Sequence, residues 1–251
     1  MGDWVNKKEH RLSFEKLIKR PFAHRGLHDE MNPENSVGAF ENAIKNNYAI
    51  ELDVRLLKDG EVVVFHDSNL RRMCGLNKKL SKCTFSEIKE LSLLQTKFTI
   101  PKLKDVLRLV DGSEFVLIEI KGRLFDRKLE KAVLNDVINY SGDYAIQSFN
   151  PLSLKWFKKH AGYIARGYLA SFFNGSKSLF KKLVKRLCFA KSCDINFISY
   201  DFKYLPNKYV EKFMCKKKVP LLAFTITSEE EFNEVKSCVS NIIFENFNPG
   251  N

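Results

Sequence analysis

The chain has 251 residues, 44% of them hydrophobic, and 42 Lys+Arg against 30 Asp+Glu give a formal net charge of +12. That apolar content is ample for a core and excludes a wholly disordered chain, and no stretch approaches the roughly 18 consecutive apolar residues of a membrane span. The length suits one large domain, and single α/β barrels commonly reach about 250 residues.

Residues 1–20, MGDWVNKKEHRLSFEKLIKR, carry basic residues but no apolar h-region, so no secretory signal is read and a cytoplasmic location is expected. Trp4, Phe14, Leu17 and Ile18 make this segment an N-terminal extension, either an extra helix packed across the bottom of the fold or a mobile arm. From residue 21 onward short β-rich apolar runs recur at 21–26, 49–54, 61–67, 114–121, 144–149, 163–169, 196–201, 220–226 and 241–246. Segments of helical periodicity at 35–46, 102–110, 127–140, 151–160, 207–217 and 228–237 lie between most of them. Such alternation predicts parallel strands joined by helical crossovers. The run 61–67 follows the second strand through Lys58-Asp59-Gly60 and reads as its hairpin partner. The remaining eight strands close a TIM-type (β/α)8 barrel over residues 21–251, with a polar insertion at 68–100 after the second strand. A doubly wound open sheet is the competitor, but its Gly-rich phosphate loop is missing after the first strand, which ends in His24-Arg25-Gly26. The six cysteines form no C-x-x-C pair and are expected to be reduced.

Active sites of α/β barrels form at the C-terminal ends of the strands, and the chemistry-bearing residues of this chain fall there. Glu51 and Asp53, two apart on one strand, point to the same side, as do Glu119 and Lys121 on the next barrel strand. His24 and Arg25 end the first strand, and His66 and Asp67 end the hairpin strand. Three carboxylates aimed at one spot repel unless a cation joins them, and oxygen donors suit Mg2+ or Ca2+ better than zinc. Arg25 and Lys121 are fixed positive charges suited to a phosphate, while His24 and His66 can move protons near neutral pH. Together these are the parts required for phosphodiester cleavage.

The ordered blocks HRG, PENS followed by AF, E-x-D, KDG, HD and R-x-x-G, then IPKLKDVL, LIEIK and QSF, resemble the glycerophosphodiester phosphodiesterase family over roughly residues 21–250. The resemblance implies a TIM-type barrel and a metal-dependent hydrolase that releases sn-glycerol 3-phosphate and an alcohol. It makes His24 and His66 the catalytic histidines, with Arg25 and Lys121 at the phosphate. Glu51, Asp53 and Glu119 become the metal ligands. In Pro33-Glu34-Asn35-Ser36, Asn35 or Ser36 is expected to cap the following helix. Two departures bear on the headgroup. Phe224-Thr225-Ile226 stands where relatives often carry W-T-V, which keeps an aromatic wall at Phe224, and Phe244-Glu245-Asn246 stands where they often carry T-D-x-P. Lysophospholipase-D-like or cyclising action on lysolipids at a membrane surface is an alternative, and a catalytically silent phosphate-binding scaffold is another.

No nucleic-acid-binding motif accompanies the positive charge, so no nucleic-acid partner is expected and the lysines read as a solvated surface. Phe172 and Phe173 precede a basic segment in which Leu179, Phe180, Leu183, Val184 and Leu187 recur at helical spacing. The simpler reading is a barrel helix with the two phenylalanines as a lid over the substrate pocket. The sharper one is peripheral membrane contact through residues 171–190. His10, His28 and His160 read as surface residues.

Overall fold

Residues 14–172 and 178–250 are described in the computed structural model. The chain runs through α1 (Phe14–Ile18), β1 (Phe22–Ala23), α2 (Val37–Lys45), β2 (Ala49–Leu56) and β3 (Val62–Val64). An insertion follows with α3 (Arg71–Cys74) and α4 (Phe85–Ile88). Then come α5 (Leu103–Val110), β4 (Val116–Ile120), α6 (Lys128–Val137), β5 (Tyr144–Ser148), α7 (Pro151–His160) and β6 (Arg166–Ala170). The last part holds α8 (Leu179–Lys185), α9 (Ala190–Cys193), β7 (Phe197–Asp201), α10 (Lys208–Lys217), β8 (Leu221–Ile226), α11 (Glu229–Val235) and β9 (Asn241–Phe244).

Strands pair in the order β1-β9-β8-β7-β6-β5-β4-β2, all in parallel, and β1 also pairs with β2, which closes the expected barrel. The hairpin is present too: β3 runs antiparallel to β2, with Val54 opposite Val64. Its turn uses Gly60 at φ 88°, a left-handed conformation that costs glycine little.

Side chains alternate across each strand, so one set faces the helices and the other fills the barrel. The outer set and the helices share one large apolar core. Helix α5 shows how the pattern works, with Leu103, Val106, Leu107 and Val110 buried along one stripe. Helix starts are capped by short polar side chains, Ser36 for α2 and Asn150 for α7, where Pro151 occupies the first turn. Inside the barrel, Phe22, Leu117, Ala145, Phe197, Leu222 and Ile243 form an apolar layer with Leu17 of α1, which sits beneath it. Asn241 Nδ2 donates to the Leu17 and Arg20 carbonyls and ties α1 to the start of β9. Above this layer the interior turns polar, and that change of chemistry positions the site.

Residues 68–100 depart from the polar excursion expected of them. Leu70, Met73, Leu80, Cys83, Ile88, Leu93 and Ile100 are buried with Leu57, Val63 and Phe65 in a separate apolar cluster. Each such side chain contributes about 1.5–3 kcal/mol relative to exposure, so the insertion has a core of its own resting on the hairpin. The helical pattern of 179–187 is also interrupted: α8 ends at Lys185, and Leu187 adopts φ 57°. Val184 and Leu187 are buried while Leu179 is 70% exposed, so only part of the expected stripe packs on the barrel. The six cysteines are free thiols, as expected.

Candidate active site

Glu51 and Asp53 share the inner face of β2, and Asp53 lies opposite Glu119 of β4. Oxygen atoms of these three carboxylates lie within 4.8 Å of one another, and all three residues are buried. Lys121 Nζ stands 2.7 Å from Glu119 Oε1 and 3.0 Å from Asp53 Oδ1. Arg25 approaches from the end of β1, with Nε 3.3 Å from Asp53 Oδ2, while its backbone N–H donates to Glu51 Oε2. Successive left-handed residues, Arg25 at φ 57° and Gly26 at φ 80°, follow a β1 that ends three residues sooner than its run of 21–26 suggested, and turn the chain over the cluster. A Cβ at Gly26 would strike the Ala39 backbone, so the turn requires glycine there.

Charge is not balanced in this cluster. Burial works against ionisation of Asp53, yet Lys121 and Arg25 hold its carboxyl well below the usual range. Burial, with the neighbouring charges of Asp53 and Glu119, pushes Glu51 well above it. Glu119 is driven up to about 7 by burial, with Asp53 adding to the rise and Lys121 opposing it. Three carboxylates therefore face two cations, an excess of negative charge that opposes full ionisation of Glu51 and Glu119. Asp53 Oδ1 is buried, with the Lys121 ammonium 3.0 Å away as its cationic neighbour among the described residues. Three buried carboxylates with oxygen atoms within 4.8 Å of one another fit a bound cation, and the oxygen-only donor set suits a hard one.

Both histidines are held at Nδ1 by a carboxylate. His24 Nδ1 lies 2.6 Å from Glu245 Oε2, and His66 Nδ1 lies 2.7 Å from Asp67 Oδ1. With the ring proton on Nδ1 facing the carboxylate, Nε2 is the nitrogen left to accept or deliver a proton. Burial lowers the His66 pKa, and Lys121 and Arg25 add to this while Asp53 and Asp67 oppose it. Hydrogen bonds from His24 and His28 outweigh burial and hold the Glu245 carboxyl well below its ordinary range.

Several partners in this arrangement were not singled out from the sequence. Glu245 ends β9, and its signal was available: a closed barrel sets the last strand beside the first, Phe22 opposite Ile243 and Ala23 opposite Phe244. His28, expected on the surface, is part-buried with Nε2 3.5 Å from Glu245. The chain doubles back after Gly26, which brings it there. His160 does lie exposed, stacked on Trp156, and His10 lies outside the described residues. Of the two expected helix caps, Ser36 accepts from Ala39 N–H. Asn35 instead adopts φ 58° and donates from Nδ2 to Asp53 Oδ2. Glu34 binds both Arg25 and Arg72, and Arg72 also grips Asp67, so the insertion and both loops meet in one ion network. Gln147 Nε2 donates to Glu51 and its Oε1 accepts from Ser199.

The aromatic residues are more dispersed. Phe224 is half-buried at the end of β8, edge-on to Phe149. Phe172 is 39% exposed and stacks on Tyr204, with Lys185 Nζ 3.5 Å above its ring. Phe173 lies outside the described residues.

Comparison with known proteins agrees with this architecture. A phosphodiesterase from Oleispira antarctica, solved in complex with the product sn-glycerol-3-phosphate, superposes with a TM-score of 0.78 at 22% identity, covering 92% of this chain and 94% of that one. A glycerophosphodiester phosphodiesterase from Caldanaerobacter subterraneus subsp. tengcongensis is 37% identical over 161 residues, 59% of this chain and 65% of its own length. One from Bacillus altitudinis is 29% identical over 202 residues, 78% of this chain and 72% of its own length. The aligned part of this chain thus spans about two thirds of these curated relatives. Residues 24–237 match the Glycerophosphoryl diester phosphodiesterase family, which includes the strand ends that build the site, and the chain belongs to that family.

Proposed function

We propose that the chain hydrolyses glycerophosphodiesters to sn-glycerol 3-phosphate and an alcohol, with Glu51, Asp53 and Glu119 holding one divalent cation. The observation that carries this reading is the convergence of three buried carboxylates with Arg25 and Lys121 at the barrel mouth. The oxygen donors favour Mg2+ or Ca2+, whose chemistry here is to neutralise charge on a phosphoryl oxygen. Arg25 and Lys121 add fixed positive charge for the phosphate, which gains negative charge in the transition state. His24 and His66, each with Nε2 free, serve as acid and base, taking a proton from the attacking oxygen and giving one to the alcohol as its P–O bond breaks. Phe224 and Phe172 are assigned to the walls of the substrate pocket, the role that the sequence also gives Phe173. Glycerol 3-phosphate release from glycerophosphoglycerol tests the proposal. EDTA is expected to abolish release and added Mg2+ or Ca2+ to restore it. Folded, metal-replete protein that releases none overturns the reading.

A second reading, turnover of lysolipids at a membrane surface, is favoured by where the exposed apolar residues lie. Met31, Phe125, Phe172 and Leu179 lie in segments that follow the barrel strands β1, β4 and β6, Leu94 lies in the insertion, and Phe125 is 83% exposed, whereas Ile18 and Ile138 are exposed in α1 and after α6. Among the described residues no helix is long and apolar enough to cross a membrane, so such contact would be peripheral, with residues 171–190 as part of it. Co-sedimentation with phosphatidylglycerol vesicles at physiological salt is its expected signature. Protein that stays in the supernatant at both low and physiological salt excludes it.

A further inference from the structure

Beside the carboxylate cluster a cavity of about 650 Å³ extends outward from Lys121 over the ends of β2 and β4, closed on its far side by the insertion around Lys79, Leu80 and Ser81. Its lining is strongly basic. Besides Lys121 it includes Arg55, Lys58, Lys79, Arg123 and Lys128, against a single carboxylate, Asp126. Asp126 is already engaged, accepting from the Lys128 backbone N–H. Among the described residues none of those five cationic side chains forms an ion pair. Lysines and arginines elsewhere on the molecule do find partners, as Lys102 and Lys104 do with Glu61 and Arg72 does with Glu34 and Asp67. Arg55 is the most informative of the five. Its guanidinium is half-buried, and Nε is fixed by the His66 carbonyl at 2.7 Å. Among the described residues the terminal nitrogens have no hydrogen-bond acceptor, and Arg55 lines the cavity with that fork held in place through Nε.

Four cations without a carboxylate partner, together with Arg55, whose charge Asp53, Glu119 and Asp67 partly offset, repel one another round a concavity, and a bound anion relieves that cost. The volume suits one small ligand rather than a polymer. The position adjoins the phosphodiester site through the shared Lys121. The glycerol half of such a substrate carries only hydroxyl groups, so any second anionic charge belongs to the leaving alcohol.

We propose that this cavity is a subsite for a phosphate carried by the leaving alcohol, which makes glycerophosphodiesters with a phosphorylated alcohol the preferred substrates. The assignment rests on the reading of the neighbouring site as a glycerophosphodiesterase. Glycerophosphoinositol and glycerophosphoinositol 4-phosphate differ by one phosphate and form the test pair. The wild-type chain is expected to favour the 4-phosphate by about tenfold or more in kcat/KM, as charge-assisted hydrogen bonds would provide. In the double variant Lys79→Gln, Lys128→Gln, both exposed positions, that ratio is expected to fall towards one. A wild-type ratio near one, or a ratio unchanged in the double variant, overturns the subsite. Calorimetry with inositol 4-phosphate against inositol separates this proposal from the one beneath it. Selective binding of the phosphate by wild type and not by the variant, with neither diester turned over, keeps the subsite and overturns only the hydrolase reading. If neither alcohol is distinguished by binding or by turnover, the subsite is overturned.

Discussion

At the scale of single residues, the site divides its labour between groups that carry charge and groups that fix a tautomer. His24 and His66 are each a ring nitrogen away from a carboxylate that ends a neighbouring stretch of chain. Replacing either histidine with Ala is expected to lower turnover by about 10²–10⁴-fold, the usual contribution of a positioned acid or base. Near-wild-type rates in either variant would remove both from the mechanism. Glu245 acts one step back, as a positioning residue for His24. Glu245→Gln keeps the shape but removes the charge that favours the Nδ1 proton. It is expected to reduce kcat by about 10–100-fold and to shift the pH–rate profile, which a purely structural loss would leave in place. The histidines themselves were legible from residue type and strand-end position. Their partners were not, because Asp67 is unremarkable beside His66 in sequence and Glu245 is 221 residues from His24.

At the scale of elements, the insertion is more than an appendage because Arg72 of α3 joins it to the barrel. Arg72 reaches Glu34 after β1 and Asp67 after β3, while Arg25 shares Glu34 and His66 shares Asp67. Its hydrogen bonds to Asp67, helped by the bond from His66, outweigh the cost of burial and hold that carboxyl down to about 2. Glu34 is likewise depressed, burial opposing and the two arginines prevailing. A carboxylate with a lowered folded-state pKa contributes stability that is present above its unfolded pKa and lost as pH falls through the folded one. Arg72→Ala is therefore expected to cost about 1 kcal/mol near neutral pH, a modest figure because Arg72 is 46% exposed and the ion pairs are screened. That difference should shrink as pH falls from about 4 towards 2. Urea denaturation of both chains at several pH values checks it, and a gap that persists at low pH would assign the loss to packing instead. The elements themselves were largely readable, since periodicity placed α7 and the hairpin turn well. The apolar cluster of residues 70–100 was harder to see, because its short helices give no sustained period and its core residues are spaced irregularly.

At the scale of the whole molecule, the barrel is filled below and charged above, and one glycine shows how tightly the lower layer is packed. A Cβ at Gly167 of β6 would enter the ring of Phe197, which is fully buried in that layer. Gly167→Ala is expected to destabilise the fold by about 1–3 kcal/mol through overpacking, measured as a lower urea midpoint. An unchanged midpoint would mean that the Phe197 ring has room to move. The order of strands and helices, the barrel class and the charged strand ends were readable along the chain, because periods of 2 and 3.6 are written locally and alternation of elements admits few topologies. Its ordered motifs also carried the family. Which charges neutralise one another and which remain without a contact partner among the described residues was set by the folded arrangement. It brought Glu245 to His24, Arg72 to Glu34 and Asp67, and left five cations facing one cavity. Coulomb interactions depend on distance through space, and closure of β9 onto β1 makes near neighbours of residues that the chain sets far apart.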